Sequence, residues 1–172
     1  MKTLNKFLLA FLLIAGVAAC KKDKNGGDGG NAAEGKVIAK VAGASFSSMT
    51  ATATYVSTGK MLTILGSDAS GKAINLMING YDEKTGTYEI TNGGIAIAVT
   101  ASYMEGNPTN PSASKSWQAP YSGSGVIGKV QISEFSKTGS VKGTFNFTGK
   151  YSSDNSTKEI TEGAFNLKVT SY

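Results

Sequence analysis

VKGTFNFTGKY, residues 141–151, puts Val141, Phe145, Phe147 and Tyr151 on one parity and Lys142, Thr144, Asn146 and Lys150 on the other. Successive side chains of an extended chain point to opposite sides, so this two-residue period describes a strand with one face in a core and one in water. Downstream, Phe165, Leu167 and Val169 alternate with Asn166, Lys168 and Thr170; upstream, Ile74, Leu76 and Ile78 are separated by Asn75 and Met77. A slip of one residue would turn every one of these apolar side chains into water, which fixes the register. From Val37 onward no window of twelve or more residues carries apolar positions at helical spacing, so the class is all-β.

The same reading predicts strands over 37–42, 49–56, 61–66, 73–79, 86–90, 95–104, 117–121, 126–134, 141–151 and 160–170. The turns Thr58-Gly59-Lys60, Ala69-Ser70-Gly71, Lys84-Thr85-Gly86, Asn92-Gly93-Gly94 and Lys137-Thr138-Gly139 each carry a glycine that tolerates positive φ, and antiparallel hairpins follow. About ten short strands in one domain, residues 37–172, predict an antiparallel β-sandwich. A closed, lipocalin-like β-barrel is the alternative, because periodicity alone does not separate the two. Lys36, Lys40, Lys150 and Lys168 are expected to guard exposed sheet edges.

Ahead of that domain, Lys2 and Lys6 precede the apolar run Phe7 to Val17, followed by Ala18, Ala19 and Cys20. A basic start, a short apolar core and small residues form the three-part layout of an export signal, and eleven apolar residues are too few to span a bilayer. Val17-Ala18-Ala19-Cys20 resembles a bacterial lipobox, which implies a signal peptide over 1–19 and lipidation of Cys20. Acyl chains there would make the membrane a partner through Cys20 alone, each buried methylene contributing roughly 0.8 kcal/mol. Residues 20–36 hold the lipidated cysteine and a Gly-rich tether, which spans roughly 20 Å as a random coil. Cys20-Lys21-Lys22-Asp23 partly resembles the signal that sends some Bacteroidota lipoproteins to the cell surface, so the expected location is the outer membrane with the leaflet left open.

Composition narrows the chemistry. The 172 residues include no His and one Cys, which removes Ser-His-Asp and Cys-His catalysis, His-ligated metals and any internal disulfide framework. Removing Lys2 and Lys6 with the signal lowers a formal charge of only +5, and no basic cluster follows Lys24, so nucleic acid is not an expected partner. No cofactor or metal site is expected, since no Asp-x-Asp or Asp-x-Asn-x-Asp spacing occurs and Asp82-Glu83 reads as a solvated turn. Ser114-Lys115-Ser116 lies in a polar loop without a visible oxyanion hole, and an enzyme is not expected.

The stretch 105–125 holds all three prolines, Trp117 and Tyr121, and long connections of this kind often carry function. With Tyr103, these rings are the candidate ligand-binding residues: an exposed platform for sugar rings, or a cap on the core stiffened by Pro108, Pro111 and Pro120. Two ligand classes follow. A glycan would stack on Trp117 and Tyr121; a small hydrophobic ligand would need a barrel interior lined by Ile74, Leu76, Phe145 and Phe147.

Several segments together resemble a family of small Bacteroidota lipoproteins built around a domain of unknown function. They are Ala44-Ser45-Phe46 with Thr50-Ala51-Thr52-Ala53 and Met61-Leu62-Thr63-Ile64-Leu65-Gly66; Ile74-Asn75-Leu76-Met77-Ile78 with Gly86-Thr87-Tyr88-Glu89-Ile90; and Gly128 to Glu134, Val141 to Phe147 and Ile160 to Phe165. Where many members have a Trp after the position of Phe46, this chain has Ser47-Ser48. The resemblance implies an all-β envelope protein and brings no established activity or catalytic residue. The expected function is therefore a lipid-anchored, non-enzymatic binding or accessory module with a protein or glycan ligand.

Overall fold

The structure is a computed structural model that describes residues 31–93 and 96–172. The expectations for the signal, Cys20 and most of the tether lie outside the described residues.

Eleven strands follow one another: β1 Lys36–Val41, β2 Ala44–Ser47, β3 Thr50–Val56, β4 Met61–Ser67, β5 Lys72–Asn79, β6 Gly86–Thr91, β7 Ala98–Glu105, β8 Lys115–Ala119, β9 Val126–Phe135, β10 Ser140–Lys150 and β11 Thr157–Ser171. Among the described residues the one helical element is a 3-10 turn at Pro111–Ala113. The all-β class holds, with burial alternating along β10 from Val141 to Gly149 as the two-residue period requires.

The strands form one continuous sheet folded on itself. A first antiparallel array runs β2-β1-β11-β10-β9-β6 and a second runs β3-β4-β5-β7-β8. Two long strands join them. The end of β11 continues past β1 to pair in parallel with β3, at Val169↔Ala53 through Ser171↔Tyr55. The end of β10 continues past β9 to meet β8 at Lys150↔Gln118. The result is a sandwich whose layers are hydrogen-bonded at both corners, and it is not a clean barrel.

Ile160 and Phe165 both face the core although their parities differ. An extra residue in β11 between them makes this possible: Phe145↔Gly163 is followed by Phe147↔Ile160, and Glu162 adopts φ 50°. The interior is filled by its own side chains. Phe145 stacks on Phe147 and Phe165 at 6.5 and 6.3 Å, and Tyr55 meets Phe135 across the layers at 5.4 Å. Ile74, Leu76, Phe145 and Phe147 all point inward and are buried in one continuous core cluster.

Three sequence expectations change. The strand Ala44–Ser47 falls between predicted strands, because only Phe46 of its four residues is buried. In the turn at 58–60 the residue with positive φ is Lys60, at 46°, and not Gly59. The edge strands are β2 and β6, so Lys36, Lys40, Lys150 and Lys168 lie on interior strands and do not guard edges.

Glycines in the strands serve close approach. A Cβ on Gly143 would lie 2.1 Å from the Gln131 carbonyl oxygen and 2.5 Å from Cζ of Phe165. Gly143→Ala is expected to lower stability by roughly 2–3 kcal/mol in urea unfolding. Gly59→Ala, with nothing within 4 Å of the new atom, should change it by less than about 0.5 kcal/mol. Equal effects of the two would contradict this packing.

Candidate functional site

The sandwich has two ends, and the predicted site residues gather at one of them. β7 and β8 pair with Tyr103 opposite Trp117, and Tyr151 follows directly on β10. Their rings form a row, Tyr103 to Trp117 at 5.8 Å and Trp117 to Tyr151 at 5.7 Å. On the neighbouring strand, Gly149↔Lys158 turns Lys158 toward the interior. Gly149 is required there, since a Cβ would come within 2.9 Å of Trp117.

Lys158 Nζ therefore sits 4.0 Å from the centroid of the Trp117 ring and 5.3 Å from that of Tyr103. A cation over an indole face is attracted by the ring quadrupole, more strongly when partly desolvated. Lys158 also forms a short ion pair with Glu105, whose other bond is donated by the Tyr103 hydroxyl at 3.0 Å. The Trp117 indole N–H donates to Ser156 Oγ at 3.1 Å. Each polar group of this cluster is thus engaged by another member.

Trp117 and Tyr103 are only 3% and 2% exposed, so they do not form the exposed platform considered from the sequence. The strand pattern explains this: Trp117 and Ala119 share the inward parity of β8, and Tyr103 that of β7. Tyr121 is half-buried beyond β8 and lies under Lys150 Nζ at 5.6 Å. Glu105 and Lys158, which complete the cluster, were not singled out by sequence. They are 53 residues apart and meet only through the β10–β11 register.

The opposite end repeats the chemistry. Tyr55, Tyr81, Tyr88 and Phe135 pack edge to face, and Lys137 Nζ lies 5.5 Å over the Tyr55 ring. Glu83 accepts from the Tyr55 hydroxyl at 3.0 Å and from Lys137 at 2.7 Å. The expected solvated turn at Asp82-Glu83 is thus also a clamp on this end. The Tyr81 hydroxyl is buried with no hydrogen-bond partner, and burial raises its pKa.

Two surface pockets lie elsewhere. One of about 370 Å³ sits between Thr87, Glu89, Ile97 and Val99, and one of about 280 Å³ lies over Lys142, Thr144 and Ala164. Among the described residues no three Asp, Glu, Cys or His side chains come together to hold a metal ion.

Burial works against the charge of Glu105, but hydrogen bonds from Lys158 and Tyr103, with the Lys158 and Lys72 charges, outweigh it and hold the carboxyl below the usual range. A carboxylate depressed in the folded state adds stability that is present above its unfolded pKa, about 4.3, and is lost as pH falls through the folded value. In Glu105→Gln that contribution is absent. The gap in urea midpoint between the native chain and the variant is expected to be widest near neutrality and to narrow below about pH 4. A gap independent of pH would contradict the assignment.

Neither a curated protein nor a solved structure matches the chain. The model of one family, described as a domain of unknown function (DUF6252), matches residues 34–168, from just before β1 into the last part of β11. That span takes in both layers and both ends, and the chain belongs to the DUF6252 family.

Proposed function

We propose that this chain is a lipid-anchored protein of a bacterial cell envelope, held at the outer membrane through Cys20, whose β domain is a non-enzymatic binding or accessory module. The observation that carries the reading is the placement of Val17-Ala18-Ala19-Cys20 at the end of a short apolar run, close ahead of a domain whose first strand begins at Lys36. The segments that resemble Bacteroidota lipoproteins support the same setting.

The geometry supports a module over a catalyst, because the ionisable groups at both ends of the sandwich are committed to one another. It also supports a protein partner over a glycan, since Trp117 and Tyr103 are closed to stacking on sugar rings. The chain joins the fold where Lys36 lies opposite Asn166. Lys158 is eight residues back along β11, about 25 Å away, so an anchored domain would hold the Trp117 end away from the membrane.

Metabolic labelling with an alkynyl fatty acid, followed by membrane fractionation, tests the anchor. The native chain is expected to carry the label and to sediment with membranes, and Cys20→Ser to lose the label and keep the uncleaved signal. A label retained in Cys20→Ser, or no label on the native chain, would overturn the reading.

A further inference from the structure

The two layers present unlike faces to solvent. Outward positions of the first array carry Lys36, Lys40, Lys129, Lys142, Lys150 and Lys168, with Glu89, Glu134 and Glu159 among them. The outward positions of β3, β4, β5, β7 and β8 carry no charge at all among the described residues. They are threonine, serine, asparagine and glutamine mixed with apolar residues. Thr63, Met77 and Thr100 form one cross-strand row, and Leu65 and Asn75 stand in the next.

This face is open. Leu65 is 40% and Met104 41% exposed, and Thr52, Thr100 and Gln118 are exposed beside them. The charged strand ends Lys72, Glu105 and Lys115 have the inward parity and belong to the rim at the Trp117 end. A soluble sheet face normally interleaves charges with its other polar residues, which keeps it from pairing with a like face. Here that protection is confined to the first array.

We propose that the uncharged face of β3-β4-β5-β7-β8 is an interface for a second copy of this chain, packed face to face. An isologous contact sets each patch against itself, so any charge near the axis would face its own like charge. A patch without charge escapes that cost, and its threonine, asparagine and glutamine side chains supply donors and acceptors to both sides. The lack of any aromatic ring on the face argues against a sugar polymer as its occupant.

The size agrees with a weak pair. Five strands at about 4.8 Å spacing and seven residues at about 3.3 Å give a footprint on the order of 500 Å² per copy. That is below the roughly 800 Å² per partner of a standard stable interface. Such a contact is weak and forms in proportion to the local concentration of copies.

The test is photo-cross-linking in cells that express two differently tagged copies of the full chain. A benzophenone side chain is placed in turn at residues 63, 77 and 100, and at residue 131 on the charged face as control. The expected result is a covalent product carrying both tags from the first three positions and little from 131. Leu65→Lys with Thr100→Lys, both at exposed outward positions, should abolish the product from position 77 while protease resistance stays that of the native chain. No two-tag product from the three positions, an equal product from 131, or capture of a different protein alone would overturn the proposal.

Discussion

The pairing of β10 with β11 is the constraint on which the rest depends. It runs from Ser140↔Lys168 to Lys150↔Thr157, and each strand outruns its neighbour on the far side. That surplus length makes the corners: β11 reaches β3 and β10 reaches β8, so one ladder ties both layers together. Its inner face is built from Phe145, Phe147 and Phe165, with Gly143 and Gly163 leaving room for the rings. Each buried aromatic of this kind contributes roughly 1.5–3 kcal/mol of apolar burial, so the hairpin concentrates stability where the topology needs it.

The same ladder sets the chemistry of the ends. Because Gly149 lies opposite Lys158, a cation is carried inward to Trp117, and Glu105 on β7 is positioned to neutralise it. At the far end Lys137 and Glu83 close over Tyr55 in the same manner. An open sandwich would leave aromatic edges wet at both ends. A lysine-carboxylate pair over the rings covers them while keeping its own charges partly hydrated.

Much of the fold was legible in the chain, because burial on one side imposes a period of two. The strands around Ile74, Phe145 and Phe165 followed directly from parity. What escaped was long-range. The β11 bulge shows in sequence only as the opposed parity of Ile160 and Phe165, which could equally mark the end of a strand. Residues 115–119 could be read as strand or as the stem of a functional loop, and pairing with β7, which buries Trp117, decides for strand. The partnership of Lys158 with Glu105 had no local signal. The charge-free face was present in the alternation of Thr, Asn and Met through β3 to β5, but it gains meaning only once the layers are assigned.

Both ends of the domain are closed by lysine-carboxylate pairs over aromatic rings, and the β10–β11 ladder holds the two layers together. Native-state hydrogen exchange tests this most directly, residue by residue. The account predicts that the slowest amides lie in Val141–Gly149 and Ile160–Leu167 and exchange only through global unfolding. It would be contradicted if the amides of β3, β4 and β5 stayed protected while those of β10 and β11 exchanged first.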